Sequence, residues 1–315
     1  MKNDAFISDE IKVSVICNTY NHEKYIRDAL ESFVTQKTNF RFEVLVHDDA
    51  SSDGTADIIR EYEQKYPDII KPIYQSVNLY SKKIKISKVY QYPRAKGKYL
   101  AICEGDDYWI DNCKLQKQYD ALESRPDINI CTCCTEKIHG GKSCGMIAPS
   151  KVNNIFTTED VILGGGGFVG TNSIVLRKEA FMGSELYDSV MGLDYFIQII
   201  GAIGNGMLYL SDCMCVYRVL SNGSWTSKMN KNRQSYVQHL GRVIENLKEM
   251  DTILNGKYHE TICQKIHNIE FKCLIELADY KSIKTEPYLS IYNSKSFRER
   301  IKLKIKEVCS IFKFT

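Results

Sequence analysis

Two adjacent acids, Asp106 and Asp107, end the apolar run in the segment KYLAICEGDDYW. Burying two carboxylates at the end of a strand costs free energy unless a cation neutralises their charge. A divalent ion such as Mg²⁺ or Mn²⁺ does so, because it prefers carboxylate oxygens and keeps coordination sites open for phosphates. A solvated turn is the alternative for an isolated Asp-Asp pair. The surrounding residues and a second acid cluster favour a metal and diphosphate site.

The second acid cluster is Asp48 and Asp49, which follow the run FEVLVH in the segment DDASSDGT. A calcium-binding loop that began at Asp49 would need a glutamate at its twelfth position, where Arg60 stands. The calcium interpretation therefore fails. We expect Ser52 or Asp53 to cap the following helix. Asp48 and Asp49 would then be free to accept hydrogen bonds from a ligand.

A glycine run supplies a second motif, since Gly165, Gly167 and Gly170 satisfy G-x-G-x-x-G. The dinucleotide-binding fingerprint must follow a strand and open a helix, whereas a strand follows here. The G-x-x-x-x-G-K-[ST] phosphate loop of ATP-binding proteins does not occur in the sequence. These facts argue against a Rossmann dehydrogenase, and we interpret the run as a flexible loop near the site.

The elements that must position these acids alternate between strand and helix. Strands are predicted at Lys12–Cys17, Phe42–His47 and Lys71–Tyr74. Helical stripes follow the first two, and the first stripe carries Ile26, Ala29, Leu30 and Phe33 on one face. This order predicts an α/β fold with a doubly wound, mainly parallel sheet. Ligands of such sheets bind beyond the carboxyl ends of the strands. We therefore expect Asn18 and Tyr20 to meet both acid pairs at one edge of the sheet.

Composition excludes several classes of protein. The 315 residues, 43% hydrophobic and 26% charged, are typical of a globular protein with a sizeable core. A formal net charge of +3 does not indicate a nucleic-acid binder. The acidic N-terminus and the lack of a 20-residue apolar run predict a cytoplasmic protein. The twelve cysteines lack paired C-x-x-C spacing, which favours buried thiols over a zinc site.

The motifs together resemble a known family. The segments SVICNTYNHEKYI, VLVHDDASSDGT, AKGKYLAICEGDDYW, GLDYF and VYRV with GSW follow in order. They look like the family 2 glycosyltransferases of the GT-A fold, closest to bacterial enzymes that build capsule, lipopolysaccharide or other surface polysaccharides. The resemblance covers roughly residues 10 to 226. We expect a GT-A catalytic domain over residues 1–226 and a C-terminal helical region over residues 227–315.

The resemblance implies a role for each matching residue at the strand ends. Asn18 and Tyr20 stand where the family contacts the nucleobase, Tyr20 by stacking. Asp49 stands where an acid accepts a hydrogen bond from uracil. Asp106 and Asp107 match the D-x-D-type pair. Asp107 is the expected direct ligand of Mn²⁺ or Mg²⁺, and Asp106 faces the ribose or the metal.

Three further positions follow from the same resemblance. Asp194 matches the general base, Arg218 lies in the donor-binding segment, and Trp225 lies near the acceptor. The family often has histidine where this chain has Leu220, so a third protein ligand for the metal is in doubt. Ala50 stands where glycine is common, which we regard as a minor change.

The implied reaction is inverting transfer of a sugar, with a UDP-sugar expected as donor, to an acceptor hydroxyl of a glycan or lipid-linked glycan. Two alternatives remain. A sugar nucleotidyltransferase would usually carry a basic, glycine-rich loop after the first strand, and Asn18 to Glu23 is not such a loop. A non-catalytic nucleotide-sugar-binding protein would not require Asp194.

The C-terminal residues 295–315 form a basic amphipathic pattern. Such a helix can lie on an anionic membrane surface, where a lipid-linked acceptor would be. Packing of the helix on the catalytic domain, with a solvated basic face, is the alternative. The first interpretation predicts peripheral contact with the inner face of the cell membrane. The basic residues are Lys295, Arg298, Arg300, Lys302, Lys304, Lys306 and Lys313.

Overall fold

The computed structural model describes residues 8–189, 194–219 and 232–311. The chain divides into two compact units, residues 1–221 and 222–315. The expected domain boundary between residues 226 and 227 lies outside the described residues. Of the helices that are described, none combines the length and apolar content needed to cross a bilayer.

The first unit is built on one sheet, whose described strands number ten. They are β1 (Ser8–Thr19), β2 (Phe40–Asp48), β3 (Ile70–Tyr74), β4 (Tyr99–Ile102), β5 (Tyr108–Trp109), β6 (Ile130–His139), β7 (Lys142–Ile147), β8 (Asn154–Phe156), β9 (Val175–Arg177) and β10 (Met207–Arg218). The order across the sheet is β3-β2-β1-β4-β9-β6-β10-β5, with β7 beside β6 and β8 beside β10.

Strand direction follows the expected pattern. Strand β1 pairs in parallel with β2 and β4, β2 pairs in parallel with β3, and β6 pairs in parallel with β10. Strand β9 is antiparallel to both β4 and β6, so β4 and β6 run in the same direction. The strands that share this direction are therefore β1, β2, β3, β4, β6 and β10. The predicted α/β fold with a mainly parallel sheet is confirmed.

Seven α-helices are described in the first unit, and they connect and cover these strands. They are α1 (Ile26–Val34), α2 (Thr55–Lys65), α3 (Lys114–Glu123), α4 (Thr158–Gly164), α5 (Lys178–Met182), α6 (Leu186–Ser189) and α7 (Asp194–Ala202). The apolar spacing of α1 turns one stripe toward the core. Its buried residues are the four predicted ones, Ile26, Ala29, Leu30 and Phe33.

The start of α2 differs by one position from the prediction. Gly54 is the N-cap residue, and no side chain at that position caps the helix. Asp53 lies one residue earlier, and its Oδ1 accepts hydrogen bonds from the Thr55 backbone N–H at 3.0 Å and from its hydroxyl at 2.5 Å. The prediction that Ser52 or Asp53 occupies the cap is therefore wrong. Asp53 nevertheless satisfies an N–H of the first turn from outside the helix.

The core of the first unit lies on both sides of β1, β2 and β4. Strand residues Val13, Val15, Val44 and Val46 are fully buried. Buried cysteines pack among them as small apolar side chains. These cysteines are Cys17, Cys103, Cys131, Cys133, Cys134 and Cys215.

The second unit is helical over its described residues. Its helices are α8 (Arg233–Ile253), α9 (His259–Glu276), α10 (Leu289–Ser294) and α11 (Phe297–Ile311). Helix α9 buries one apolar face at Ile262, Ile266 and Ile269. Helix α11 packs through Leu303 on a cluster of Phe271, Tyr280 and Ile283.

Candidate active site

The end of β1 is the centre of the site, because neighbouring segments close on it from both sides. The backbone N–H of Gly105 donates to the Asn18 carbonyl at 3.0 Å, and that of Asp49 donates to the Thr19 carbonyl at 3.0 Å. A Cβ at position 105 would lie 2.7 Å from the Thr19 hydroxyl, so only glycine allows this approach. Both acid clusters therefore flank the same strand end.

Groups of strand β10 hold Asp106 and Asp107 in place. The Asp107 side chain is buried, and its Oδ1 accepts a hydrogen bond from the Arg218 backbone N–H at 2.9 Å. Burial raises the pKa of Asp107 well above its usual range, and the charges of Asp106 and Glu104 raise it further. Asp106 is half-buried. Its carbonyl oxygen accepts a hydrogen bond from the Arg218 guanidinium at 2.8 Å.

Arg218, expected in the donor-binding segment, directs its guanidinium to groups of the protein. It pairs with the Asp28 carboxylate on α1. The guanidinium carbon lies 5.2 Å from the Tyr25 ring centroid and 4.5 Å from that of Tyr108. These contacts fasten the acid pair and β10 to the first helix.

Glu104 is a functional candidate that the sequence analysis missed. Its surroundings raise the pKa of its carboxyl to about 8, first by burial and then by the charges of Asp194 and Asp106. The Asn18 amide lies 3.4 Å from its Oε1 and partly offsets this effect. The sequence could have indicated Glu104, because this acid stands two residues before Asp106 at the end of the same strand. The charge of Asp194 is among the causes that raise the pKa of Glu104.

Asp194 is the first residue of α7 and reaches solvent. Desolvation of the carboxyl by the surrounding protein raises its pKa, and a hydrogen bond from the Thr171 hydroxyl, 2.8 Å from Oδ2, lowers it in part. A carboxylate with a raised pKa is a stronger base than an ordinary aspartate. Thr171 was also missed, because nothing in its sequence surroundings marks it as a partner of Asp194.

A buried amide positions Thr171 relative to the acid pair. The Asn172 side chain donates to the Val216 carbonyl on β10 at 2.8 Å and accepts from the Thr135 hydroxyl on β6 at 3.3 Å. The backbone carbonyl oxygen of Asn172 accepts the indole N–H of Trp109 at 2.9 Å. The segment that carries Thr171 is thereby joined to β5, β6 and β10.

The expected nucleobase side lies at the other flank of β1. Both carboxylate oxygens of Asp49 accept backbone N–H groups, from Leu79 at 2.7 Å and from Tyr80 at 3.0 Å. Tyr20 is 44% exposed, which leaves its ring accessible for stacking. The Asn18 amide donates to the Ser87 hydroxyl at 2.8 Å. Asp49 therefore holds the segment after β3. The expectation that Asp48 and Asp49 are free is wrong, because Asp49 is buried with both oxygens engaged and Asp48 accepts hydrogen bonds from Ser51.

His22 follows the end of β1, and its backbone N–H donates to the Thr55 hydroxyl at 2.8 Å. Burial lowers the pKa of its imidazole, while the charges of Asp106, Asp53 and Asp48 raise it. Its Nδ1 atom is buried and makes no hydrogen bond. Acids of both clusters therefore affect the pKa of this ring.

The crowded carboxylates at positions 106 and 107 fit a divalent cation, because a cation would offset the like charges that burial forces together. Within residues 8–189, 194–219 and 232–311, no set of three His, Cys, Asp or Glu side chains is arranged to hold a metal. Water or phosphate would complete the coordination of an ion here. Leu220 and the expected acceptor residue Trp225 lie outside the described residues.

Comparisons with known proteins agree with this geometry. The profile described as Glycosyl transferase family 2 matches residues 14–181, more than half of the chain. An uncharacterised protein of Mycobacterium tuberculosis is 32% identical over 244 residues, 78% of this chain and 69% of that protein. The putative teichuronic acid biosynthesis glycosyltransferase TuaG of Bacillus subtilis is 34% identical over 113 residues, 36% of this chain and 42% of TuaG.

Solved structures show the same fold. The structure of S. aureus TarS 1–349 in complex with UDP-GlcNAc has a TM-score of 0.60 and 18% sequence identity, over 94% of this chain and 79% of that one. The Pyrobaculum calidifontis mannosyltransferase PcManGT, in complex with GDP-Man and Mn²⁺, has a TM-score of 0.50 and 16% identity, over 97% of this chain and 87% of that one. The GT-A fold expected from the motifs is confirmed, and the chain is a member of glycosyl transferase family 2.

Proposed function

We propose that the chain is a metal-dependent, inverting glycosyltransferase that moves a sugar from a UDP-sugar to an acceptor hydroxyl. The acceptor is a glycan or lipid-linked glycan of a bacterial surface polysaccharide such as capsule or lipopolysaccharide. One arrangement carries the proposal. The Thr171 hydroxyl donates to Asp194 at 2.8 Å, and the adjacent Asn172 side chain donates to the Val216 carbonyl on β10 at 2.8 Å. Two residues along β10, the Arg218 N–H donates to Asp107 at 2.9 Å, so hydrogen bonds link the proposed base to the acid pair.

The base is Asp194. Its carboxylate is solvent-accessible and the Thr171 hydroxyl holds one oxygen at 2.8 Å, which leaves the other oxygen to accept the proton of an acceptor hydroxyl. The deprotonated hydroxyl then attacks the anomeric carbon as the bond to the nucleoside diphosphate breaks. We infer inversion, because the proposed site assigns one carboxylate as base and none as a covalent nucleophile.

The donor lies along the end of β1 in this proposal. Tyr20 stacks on the base, and Asn18 and Asp49 contact the uridine. Asp107 and Asp106 would hold Mn²⁺ or Mg²⁺, which supplies charge neutralisation for the departing diphosphate. Arg218 maintains the position of both acids through its backbone N–H and guanidinium.

Similar proteins support this class of donor and acceptor. The S. aureus TarS structure contains UDP-GlcNAc, and TuaG is named for teichuronic acid biosynthesis. The Mn²⁺ in the Pyrobaculum complex supports a divalent ion. A non-catalytic binding protein is the alternative, and it would not require a base at position 194.

The test is UDP release from a panel of UDP-sugars with Mn²⁺, with and without candidate acceptors. Asp194→Asn should abolish transfer and leave calorimetric UDP binding nearly unchanged, because the base does not hold the donor. Asp107→Ala should remove the Mn²⁺-dependent part of UDP binding. Asp68→Asn, an exposed acid in the turn before β3, is the matched control. Full transfer by Asp194→Asn would disprove the assigned base.

Membrane contact is the second part of the proposal, and helix α11 supports it. Phe297 is 71% exposed and Ile305 is 56% exposed, and Ile301 and Val308 are exposed beside them. At about 100° per residue these four side chains fall within about 80° of the helix circumference. Leu303 and Glu307 face the rest of the unit instead, through the cluster described above and an ion pair with Lys284.

Basic residues border the exposed stripe on both sides. Arg300 and Lys304 lie along one border of the helix, and Arg298 and Lys302 lie along the other. Long basic side chains in this arrangement reach anionic headgroups while the stripe enters the acyl boundary. This arrangement supports contact of α11 with an anionic membrane.

Sedimentation with vesicles tests the membrane contact. The protein should bind vesicles that contain phosphatidylglycerol and bind neutral phosphatidylcholine vesicles weakly. The double variant Ile301→Gln and Ile305→Gln should lose this binding without loss of folding, since both side chains are exposed. Leu277→Gln, an exposed apolar residue of the same unit, is the control. Equal sedimentation of the double variant and the control would rule out the membrane role of α11.

A further inference from the structure

A single turn of π-helix, Ser87–Gln91, lies between β3 and β4. Such turns are rare in proteins and occur frequently at functional sites. A buried amide fixes this turn to the sheet, because Gln91 donates to the Leu45 carbonyl at 2.8 Å and to the Cys17 carbonyl at 3.2 Å. Arg94 donates in turn to Gln91 Oε1 at 2.6 Å. The turn therefore has a fixed position relative to β1 and β2.

The first residue of this turn contacts the proposed donor side of the site. The Ser87 hydroxyl accepts a hydrogen bond from the Asn18 amide at 2.8 Å. The Gln91 amide nitrogen lies 3.5 Å from the side-chain oxygen of Asn18. Both polar atoms of the Asn18 side chain therefore contact the turn. Since Asn18 is proposed to contact the uridine, the turn supports a residue of the donor site.

The second residue of the turn, Lys88, contacts α6. Its ammonium pairs with the Asp188 carboxylate and lies 3.4 Å from the Tyr187 carbonyl oxygen. It also lies 4.9 Å from the centroid of the Tyr187 ring, within the range of a cation–π contact. The Lys88 side chain is 24% exposed, whereas that of Asp188 is 84% exposed. Because an exposed ion pair alone contributes little, the carbonyl and the ring are needed to hold Lys88 on α6.

Aromatic side chains pack the same two segments together. Tyr92 directly follows the turn, and its ring centroid lies 5.5 Å from that of Phe181 on α5 and 6.4 Å from that of Tyr187 on α6. The ring centroids of Phe181 and Tyr187 lie 5.4 Å apart. All three side chains are buried. Because these rings contact one another directly, the fold should survive loss of the Lys88 ammonium.

Helix α6 leads along the chain to the proposed base. It ends at Ser189, and α7 begins at Asp194. Consecutive residues of one turn thus contact Asn18 on the donor side and the helix that precedes Asp194 on the other. In a direct displacement the base must be held in its productive position relative to the donor, because a misplacement of about 1 Å slows a reaction strongly. The turn is placed to set this separation.

We propose that Lys88 is a positioning residue for sugar transfer, which holds α6 so that Asp194 is correctly placed relative to the bound donor. The proposal rests on the transferase function proposed above. Lys88 acts through Asp188 and Tyr187 in this role and makes no contact with the reacting atoms. Loss of its ammonium should therefore lower the rate of the chemical step and leave the affinity for UDP unchanged.

Donor hydrolysis tests this role, because water takes the place of the acceptor hydroxyl. UDP release is measured with Mn²⁺ and each of UDP-glucose, UDP-galactose and UDP-N-acetylglucosamine, and UDP binding is measured by calorimetry. Lys88→Met, which keeps the apolar stem, should lower kcat about tenfold and change the Kd of UDP by less than about twofold. Lys88→Arg should retain most of the rate, since it keeps the charge and the ring contact. Lys82→Met, at an exposed lysine before the turn, is the control and should match the wild-type chain.

A double variant separates positioning from a general loss of packing. Asp188→Asn should lower kcat about threefold, and its addition to Lys88→Met should cause no further loss, because both changes remove the same connection. Circular dichroism confirms folding of each variant. Wild-type kcat in Lys88→Met, multiplicative losses in the double variant, or a loss of UDP affinity would overturn the role of Lys88. Absence of UDP release by the wild-type chain with every donor would instead refute the proposed donor class, and the role of Lys88 with it.

Discussion

Replacement of Arg218 by methionine separates two roles for this side chain. The resemblance to the family predicts that Arg218 binds the donor. In the structure its guanidinium contacts Asp28, the Asp106 carbonyl and two tyrosine rings. Methionine keeps much of the apolar stem and the backbone N–H that bonds Asp107, so Arg218→Met removes only the guanidinium.

The contacts set the expected loss of stability. The Asp28 carboxylate is more than half exposed, so its ion pair contributes only about 0.5–1 kcal/mol. The rings of Tyr25 and Tyr108 each contribute about 0.5–1 kcal/mol through cation–π contact. The hydrogen bond to the Asp106 carbonyl contributes about 1.5 kcal/mol. Because these contacts share one group and do not add fully, we expect Arg218→Met to lower the free energy of unfolding by about 3 kcal/mol.

Urea denaturation measures the stability, and calorimetry measures UDP binding with Mn²⁺. If the guanidinium acts by holding the acid pair, Arg218→Met should lose stability strongly and UDP affinity only a few-fold. Asp28→Asn serves as the control, since it removes the ion pair alone and should cost about 0.5–1 kcal/mol. A variant Arg218→Met of near wild-type stability with no measurable UDP binding would refute this reasoning and assign the guanidinium to the donor.

Three other changes have defined outcomes. Ala50→Gly should raise the free energy of unfolding by about 0.5–1 kcal/mol in urea denaturation. Ala50 has φ +61°, and in this left-handed conformation its Cβ is strained against the backbone, whereas glycine has no Cβ. Thr171→Val should move the acidic limb of the pH–rate profile upward, since the lost hydroxyl bond raises the pKa of the Asp194 base and activity falls as pH drops through that pKa. Gly105→Ala should lower stability by about 1–3 kcal/mol by calorimetry, because its Cβ would lie 2.7 Å from the Thr19 hydroxyl.

The sheet and its edge could be predicted because local pattern determines them. The run Lys12–Cys17 lies within β1, and Phe42–His47 lies within β2. Parallel strands connected by helices must end at the same edge, so Asn18 and Asp49 were expected to lie together. The short stripe of α1 was predicted residue for residue for the same reason, since its spacing alone turns one face to the core.

The finer contacts depend on segments far apart in the chain. Asp49 binds the backbone of residues 79 and 80, and Thr171 binds Asp194, in pairs that no periodicity reveals. The conformation of Ala50 was likewise hidden, and its replacement of glycine is more consequential than the sequence suggested. The orientation of α11 was left open, because its amphipathic pattern allows either a packed or an exposed stripe.

Asn172 connects three strands of the scaffold to one short segment. Its side-chain amide bonds β6 and β10, its backbone carbonyl accepts the Trp109 indole N–H from β5, and Thr171 precedes it in the chain. A substitution that displaces any of these strands should therefore also displace Thr171 and the Asp194 carboxylate to which Thr171 donates.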